Sequence, residues 1–567
     1  LVARVFAGEE AAGQMHLGFR AYDFASIPVE FLSSIYEQFI HRSDKEGEER
    51  TKNASDPEKR GAHYTPEPLA EYLVSEVNAV RTLQPGMRVL DPCCGSGVFL
   101  VVAFRRLVEM RCRQEGRDNL NASQLRELLT SSIYAVERNR IACQIAGFSL
   151  ILAMLGYVDP PELHRNKAFK FPTLVRNNLF DEDFFNEQGR FWRQIVSPEG
   201  KGIRFDAILG NPPWVELDKD DPDSAHLIAW SKAHAKDYAL ARARTGEAFA
   251  WRVMDCLAEE GAVGLILHAK TLTNDHLEGW RKQFFSRLRV RRVTNFANLA
   301  YIIFASAQAP CMTLVYTAPK MDEAEGGILH FGPFVANQRV TVPKRGGKRR
   351  AWTIGFSESE IKVVPRSQAA SGKASVWKQS LWAGPRDEMA LRRLQAVFST
   401  TLGGIAEARN WKIALGLQLR QDEGSDEDPN EEILDKEGRN VLEGLELLDH
   451  KALVAGKRNL TIDSRFLIEN TLGIFVRVRG GTKGVHLSRG PRLFLWNDFA
   501  AYTDQPFIIR HSKVGLAGGT AEEMKAVAAI WNSSYASYLL FFVLSSEWGI
   551  DRSLIDKGDA ENLPFPE

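Results

Sequence analysis

Between about residue 61 and residue 318, short β-branched runs alternate with longer segments of helical apolar spacing. This alternation is typical of βαβ units, in which a helix connects two parallel strands of one sheet. It predicts an α/β fold with a mostly parallel, doubly wound sheet. The strands are expected at residues 88–90, 132–136, 205–209, 262–267, 290–296 and 311–316.

The two flanks of this region have different patterns. Residues 1–60 combine helical apolar spacing with a charged stretch, which predicts a helix followed by a solvated loop. Beyond residue 330 the alternation ends, and the chain becomes rich in Gly, scattered Trp and charge runs. The expected domains are therefore 1–60, 61–320 and 330–567.

Charge gives no global evidence for a nucleic-acid partner, since 72 basic and 72 acidic residues balance. DNA binding would need local basic clusters, and two are present, at residues 281–292 and 344–350. The second lies near the expected domain junction, where phosphate contacts are plausible. A solvated, charged linker is the alternative interpretation.

Several classes of protein are disfavoured by the sequence. No apolar run approaches the roughly 18 residues that span a bilayer, and the N-terminus lacks a signal-peptide pattern, so a cytoplasmic location without a membrane partner is expected. None of the six cysteines lies in a C-x-x-C pair, so neither a metal site nor a disulfide framework is predicted. Because residue 1 is Leu, the sequence could be a piece of a longer protein.

The sharpest local motif runs from Val89 to Leu100, where a strand passes through a glycine turn into an apolar helix. Gly95 and Gly97 would let a ligand approach the backbone, and the helix N-terminus would offer free N–H groups. Asp91 stands at the strand end. Such a turn either binds a nucleotide or merely connects two elements.

The next predicted strand ends in Glu137. At the carboxyl edge of a parallel sheet, this side chain could accept hydrogen bonds from ribose hydroxyls. A solvated carboxylate at a strand end is the alternative.

A third strand ends in Asn211-Pro212-Pro213-Trp214. Both prolines fix φ and lack an N–H, so the loop is rigid. The Asn211 amide oxygen and the Pro212 carbonyl could then converge on one amine, with Trp214 as a flat apolar surface beside them. Alone, the tetrapeptide is better interpreted as a strand terminator with an aromatic plug.

Taken in order, these motifs resemble those of the gamma-type DNA amino-methyltransferases, and the resemblance covers about residues 20–567. The family order is Y-T-P, D-P-x-x-G-S-G-x-F-L, an acidic strand end, N-P-P-[YFW] and a target-recognition domain. The first of these stands here as Tyr64-Thr65-Pro66. The resemblance implies a Rossmann-like class I methyltransferase core, S-adenosylmethionine as cofactor, double-stranded DNA as partner and a C-terminal mixed α/β target-recognition domain.

The same resemblance implies roles for individual residues. The implied catalytic residues are Asn211, Pro212, Pro213 and Trp214, together with Phe304, whose ring would stack on the target base. A buried loop phenylalanine is the alternative for Phe304. The implied cofactor-binding residues are Tyr64, Thr65, Pro66, Asp91, Pro92, Cys93, Gly95, Gly97, Glu137 and Asn178. Glu137 would hold the ribose, and Asn178 the adenine of the cofactor.

In that family Asn-Pro-Pro usually accompanies adenine, so methyl transfer to N6 of a flipped adenine is predicted, with specificity or nuclease subunits of a restriction or phage-defence system as further partners. Three alternatives stay open: an amine methyltransferase acting on RNA or protein, the methylase part of a restriction-modification enzyme whose nuclease lies elsewhere, and a non-catalytic DNA-binding subunit. The long region after the core favours DNA.

Overall fold

A computed structural model describes most of the chain from Thr65 onward. The described residues are 65–158, 169–215, 224–240, 244–299, 303–304, 310–319, 326–344, 347–355, 357–415, 474–478, 481–485, 492–495, 500–503, 514–544 and 557–566. They fall into two compact units: the first reaches Thr271 and resumes at His276–Gly372, and the second holds Leu272–Asp275 and the described residues from Lys373 onward. The predicted N-terminal segment and Tyr64 lie outside the described residues.

The first unit is organised around a nine-stranded sheet of order β11-β8-β6-β7-β5-β4-β1-β2-β3. Its strands are β1 Val89–Asp91, β2 Ile133–Val136, β3 Leu179–Phe180, β4 Phe205–Gly210, β5 Leu257–His268, β6 Arg289–Asn295, β7 Cys311–Thr317, β8 Ile328–Phe331 and β11 Ile361–Val364. Two further strands, β9 Phe334–Lys344 and β10 Gly347–Gly355, lie between β8 and β11 in the chain and are not part of this sheet. All pairings from β3 to β5 are parallel, as is β6 with β8. Antiparallel pairing is confined to β7 and β11. The predicted mostly parallel α/β sheet is confirmed.

Helices connect these strands. They are α1 Glu67–Val80, α2 Val98–Glu115, α3 Ala122–Ser132, α4 Arg140–Leu155, α5 Ala225–Ala233, α6 Thr245–Arg252, α7 Lys270–Thr273, α8 Glu278–Arg287 and α9 Arg366–Ala369. Helix α1 packs so closely on β5 that a Cβ at Gly264 would lie 2.4 Å from Val77 Cγ2. Helix α4 begins after Asn139, whose side-chain oxygen caps the N–H groups of Ile141 and Ala142.

The catalytic domain was expected to end near residue 320, whereas the sheet continues through β8 and β11 to Val364. Strand β8 pairs in parallel with β6, and β11 pairs with β8. Both strands are only four residues long, and their pairing partners lie far away in sequence, so local patterning does not reveal them. Strands β9 and β10 form a separate two-stranded sheet between them.

The second unit mixes helices and antiparallel strands, which agrees with the predicted α/β character. Its helices are α10 Ala374–Trp382, α11 Pro385–Val397, α12 Leu402–Ala408, α13 Ala521–Trp531, α14 Ser534–Leu539 and α15 Lys557–Glu561. Its strands are β12 Thr400–Thr401, β13 Lys412–Leu415, β14 Ile474–Val478, β15 Gly481–Val485, β16 Arg492–Leu495, β17 Ala500–Thr503, β18 Val514–Ala517 and β19 Pro564–Phe565. Trp531, fully buried, lies in its apolar core.

Among the described residues, no helix has by itself the length and apolarity to cross a bilayer. Two neighbouring segments, Ala521–Trp531 and Ser534–Leu544, reach that length only together and with a bend of 55° between them.

Candidate active site at the carboxyl ends of β1, β2 and β4

The strand order reverses beside β1, which pairs in parallel with β2 on one side and β4 on the other. In open α/β sheets, ligands bind in the crevice outside the carboxyl ends of the strands at such a reversal. Asp91, Glu137 and Asn211 end or follow these three strands. The structure therefore brings together three residues that the sequence singled out separately.

The glycine loop after Asp91 is tied to the end of β2. The Gly95 N–H donates to Glu137 Oε2 at 2.8 Å, and the Cys94 N–H donates to the Val136 carbonyl at 3.1 Å. Gly97 precedes α2 with a φ of 90°, and a Cβ there would lie 3.0 Å from the Ala146 Cβ. The loop can follow this path only with glycine at position 97.

We expect Gly97→Ala to weaken cofactor binding about tenfold, since a left-handed φ costs roughly 1–2 kcal/mol for a residue with a Cβ and crowding against Ala146 adds to it. Isothermal titration with S-adenosylmethionine measures this effect. Gly116→Ala is the matched control, because Gly116 is also left-handed, with a φ of 62°, but a Cβ there would meet nothing within 4 Å. Equal cofactor affinity in the two variants would contradict the role of the loop.

Both carboxylate oxygens of Glu137 accept hydrogen bonds from neighbouring backbone N–H groups. Oε1 accepts from the Asn139 N–H at 2.7 Å, and Oε2 accepts from the Gly95 N–H. Burial raises the pKa of Glu137 above its ordinary value despite these two hydrogen bonds. Because an ionised carboxylate has about four acceptor positions, capacity for ribose hydroxyls remains.

Asp91 is fully buried, and its Oδ1 accepts from the Cys93 N–H at 3.0 Å. Burial above all, with a smaller contribution from the Glu137 charge, raises the pKa of Asp91 well above its ordinary value. The same Oδ1 would lie 3.2 Å from a Cβ at Gly210, and Pro92 and Cys93 would be nearly as close to it. The glycine at the end of β4 thus lets this strand pack directly on the Asp91-Pro92-Cys93 turn.

The Asn211 side chain is oriented by the segment that precedes α1. Its Nδ2 donates to Thr65 Oγ1 at 3.0 Å, across 146 positions of sequence. Thr65 is buried, and Pro66 immediately precedes α1. Two of the predicted motifs are therefore in direct contact. The hydrogen bond from Nδ2 to Thr65 fixes the orientation of the amide, and so also fixes the position of its acceptor oxygen.

Trp214 is held in place by three contacts. Its Nε1 donates to the Ile266 carbonyl at 3.3 Å, and its ring meets those of Phe304 and His268 edge-to-face, with centroids 5.2 Å and 5.9 Å away. Phe304 is 4% exposed, so the aromatic residue predicted to stack on a target base lies against the tetrapeptide. These contacts fix the plane of the Trp214 ring.

Comparison with known proteins gives a family for the part of the chain that carries β2 to β6 and the tetrapeptide. Residues 131–304 match the family model of the Eco57I restriction-modification methylase. The resemblance to DNA amino-methyltransferases inferred from the motifs is thereby confirmed. Below, residues 131–304 are called the methylase segment.

Curated relatives agree with this match. The chain is 27% identical over 229 residues to "Adenine-specific methyltransferase PglX" of Streptomyces coelicolor, covering 35% of this chain and 18% of that protein. It is also 27% identical over 213 residues to "Type II methyltransferase M.BstVI" of Geobacillus stearothermophilus, covering 37% and 33%. The chain thus spans a third or less of the length of these relatives.

Among solved structures, a type I restriction-modification system methyltransferase subunit from Streptococcus thermophilus is 16% identical, with a TM-score of 0.32. That alignment covers 50% of this chain and 49% of the other.

A cavity of about 210 Å³ adjoins Trp214 in the first unit. A water molecule's share of liquid is about 30 Å³, so the cavity could hold a group the size of a heterocyclic base. It is lined by Trp214, Val215, Arg244, Gly246, Glu247, Leu267, His268, Lys270 and Thr271. His268 Nδ1 accepts from the Lys270 N–H at 2.9 Å, and buried Glu247 accepts from Thr271 Oγ1 at 2.6 Å. Apart from Trp214, none of these lining residues is predicted from the sequence, although most of them lie at the end of β5, just after it, or at the start of α6.

Asn178, predicted to contact the cofactor adenine, lies elsewhere in the methylase segment. Its Nδ2 donates to the carbonyls of Thr130 and Ile133, at the start of β2, whereas Glu137 follows the end of that strand. The structure therefore does not bring Asn178 to the carboxyl edge. Asp181, which directly follows β3, is the acidic residue at that edge, and Arg190 pairs with it at 2.6 Å.

Proposed function

We propose that this chain transfers a methyl group from S-adenosylmethionine to N6 of an adenine flipped out of double-stranded DNA, as the modification component of a restriction-modification or related defence system. One observation carries this proposal. The Asn211–Trp214 loop is oriented by Thr65 and stands beside the Gly95–Gly97 loop and Glu137. The names of the relatives, both methyltransferases and one adenine-specific, support it.

The residues present fit the cofactor. A Cβ at Gly95 would meet nothing within 4 Å, which leaves open space directly above the backbone of the glycine loop. The N-terminus of α2 directs N–H groups toward that space, and Glu137 retains acceptor capacity for ribose hydroxyls. When bound there, S-adenosylmethionine supplies an electrophilic methyl group on its sulfonium.

The chain's own residues would prepare the amine. The exocyclic nitrogen of adenine is a poor nucleophile, because its lone pair is delocalised into the ring. The Asn211 amide oxygen and the Pro212 carbonyl would accept its two N–H groups and favour the pyramidal, nucleophilic form. Holding the amine in line with the methyl group can contribute about 7–11 kcal/mol.

Aromatic contacts would stabilise the flipped base. Extruding a base from the duplex costs a few kcal/mol of stacking and pairing. Stacking on the Trp214 ring would return about 1–3 kcal/mol, and Phe304 would enclose the base from the edge. The neighbouring cavity beside His268 offers space for a group of that size.

Methyl transfer from tritiated S-adenosylmethionine tests the proposal, with genomic DNA as acceptor and chromatography of the nucleosides as readout. We expect the label in N6-methyladenine. Label in N4-methylcytosine would overturn the choice of base, and label in RNA or protein would overturn the choice of substrate class.

Phe304→Leu is expected to lower kcat/KM for DNA about tenfold, because it removes an edge-to-face contact of roughly 0.5–1.5 kcal/mol and a wall of the base site. Cofactor affinity should not change. Phe171→Leu is the control, since Phe171 makes a similar edge-to-face contact with Phe169 but is 42% exposed and far from Trp214 in sequence. Equal kcat/KM in the two variants would show that Phe304 is only a packing residue.

A further inference from the structure

The cavity beside Trp214 contains a histidine at the carboxyl end of β5. His268 is the last residue of that strand, is half-buried, and lines the cavity of about 210 Å³. Gly210, the last residue of β4, lies opposite Leu265 of β5 in a parallel pairing. The Asn211–Trp214 loop therefore leaves the sheet beside the last residues of β5, and His268 is one of them.

Two contacts tie His268 and its strand to Trp214. The centroid of the His268 ring is 5.9 Å from that of the Trp214 ring, at an interplanar angle of 64°. Trp214 Nε1 donates to the carbonyl of Ile266, two residues before His268 on β5. A planar base that lay against Trp214 in the cavity would thus lie within reach of the His268 ring.

One hydrogen bond determines which nitrogen of His268 carries the proton. The Lys270 N–H donates to His268 Nδ1 at 2.9 Å. A backbone N–H is always a donor, so Nδ1 must be an unprotonated acceptor, and an imidazolium could not take part in this bond. In a neutral imidazole the other nitrogen bears the hydrogen. His268 therefore brings an N–H donor, at Nε2, to the lining of the cavity.

The base proposed above as the target has acceptors that match such a donor. In adenine, N1 is bonded to the carbon that carries the amine, and N7 is bonded to the next ring carbon on the other side. Once the base is unpaired and flipped, both ring nitrogens can accept hydrogen bonds. The oxygens of Asn211 and Pro212 would hold only the amine, so a donor to a neighbouring ring nitrogen would fix the rest of the base.

We propose that His268 Nε2 donates a hydrogen bond to N1 or N7 of the flipped adenine and so positions its amine against Asn211 and Pro212. The inference rests on the proposed function and adds to it a residue that contacts the substrate. A site with a buried donor rejects a base that lacks the matching acceptor, because the donor is then left unpaired. The alternative is that His268 serves only to accept from the Lys270 N–H, where α7 begins.

Two substitutions separate the donor of the ring from its acceptor. In His268→Asn the side-chain oxygen can replace Nδ1 and accept from Lys270, but no donor reaches the position of Nε2. In His268→Gln the amide nitrogen can replace Nε2, while the acceptor is lost. We expect kcat/KM for DNA to fall about ten- to hundredfold in His268→Asn and less than about threefold in His268→Gln.

His226→Asn is the control, because His226 is exposed on α5, and its kcat/KM should equal that of the wild type. Affinity for S-adenosylmethionine, measured by calorimetry, should also be the same in all these proteins. Equal activity of His268→Asn and His268→Gln, or a more severe loss in His268→Gln, would assign the ring to capping α7 and overturn the inference. A loss of cofactor affinity in His268→Asn as large as its loss of kcat/KM would overturn it as well.

Substrate analogues identify the ring nitrogen. Sequencing of N6-methyladenine in DNA treated with the wild type locates the target site. Duplexes with that site then carry adenine, 1-deazaadenine, 7-deazaadenine or 3-deazaadenine at the target position, and each analogue has a C–H in place of one ring nitrogen. Because this change also alters the nucleophilicity of the amine, the decisive quantity is the loss of kcat/KM that His268→Asn causes on each duplex.

That loss should be about tenfold or more on adenine and on the 3-deaza control, and less than about twofold on either the 1-deaza or the 7-deaza duplex. A loss of the same size on every duplex would overturn the inference. N6-methyladenine formed equally well by the wild type and His268→Asn would overturn the His268 contact alone. Absence of N6-methyladenine from DNA treated with the wild type would overturn the proposed function, and this inference would fall with it.

Discussion

Asn211→Ala should lower the rate of methyl transfer to DNA by a factor of about 10²–10³, the effect of removing one preorganised hydrogen-bonding group from an active site. The loss should appear in kcat, because the amide oxygen acts on the amine only as it becomes nucleophilic. Affinity for S-adenosylmethionine should change little, since the Gly95 and Cys94 N–H groups of the glycine loop donate to Glu137 and Val136, which this substitution leaves in place. Single-turnover transfer of tritiated methyl groups measures the rate, and calorimetry measures the affinity.

Thr65→Val separates the chemistry of Asn211 from its orientation. The valine retains the shape of threonine but cannot accept from Asn211 Nδ2, so the amide is free to rotate while its oxygen is preserved. We expect the rate of methyl transfer to fall about tenfold, because the variant loses one hydrogen bond of roughly 1 kcal/mol and the Asn211 amide is then less well oriented. Near-normal turnover in Asn211→Ala would overturn the catalytic assignment, and an equally severe loss in Thr65→Val would mean that orientation is the larger part of the Asn211 effect.

Much of the fold could be predicted from the sequence because its signals are local. Alternating β-branched and amphipathic segments predicted the parallel strands β1, β2, β4 and β5, and glycines at the turn after Asp91 predicted a close approach of backbone there. Parallel strands share one carboxyl edge, and the structure brings Asp91, Glu137 and Asn211 together there. The contact between Asn211 and Thr65 joins two of the predicted motifs, but the sequence predicted only the order of these motifs and not the contact.

What the sequence did not reveal depends on register and long-range pairing. Strand β3 has two residues, too few for a periodic signal, so the position of Asn178 relative to the sheet edge could not be read from its neighbours. The cavity beside Trp214 is built from residues that begin α6 and follow β5, which meet only after the sheet forms. Likewise, the tertiary contacts of Arg281 and Arg292 could not be read from the basic cluster that contains them.

Glu137→Gln should weaken binding of S-adenosylmethionine ten- to hundredfold, because a hydrogen bond to a charged group contributes about 1.5–3 kcal/mol. Glutamine has one acceptor and one donor end, whereas Gly95 and Asn139 both present N–H groups to this side chain. The amide NH₂ must therefore face one of them. The glycine loop would shift, and the acceptors for the ribose would be reduced.

The same variant should separate cofactor binding from stability. Burial raises the pKa of Glu137, so the folded chain holds this proton more tightly than the unfolded chain does. The stabilising contribution of the proton is lost as pH rises through the folded pKa, so the ionised carboxylate lowers the free energy of unfolding at neutral pH. Glu137→Gln removes that penalty. The variant should therefore keep a Tm close to that of the wild type while its affinity for the cofactor falls.

Wild-type cofactor affinity should also decrease as pH falls, beginning at a higher pH than an ordinary glutamate would give, since protonation leaves the carboxyl unable to accept fully from both N–H groups. Glu137→Gln already resembles the protonated form and should lose this dependence. Titrating each protein with S-adenosylmethionine from neutral to mildly acidic pH measures the pH dependence of cofactor affinity in the wild type and in Glu137→Gln. Glu71→Gln, a substitution of an exposed residue on α1, is the control. An identical pH profile in wild type and Glu137→Gln would place the titrating group elsewhere, with buried Asp91 beside it as the next candidate.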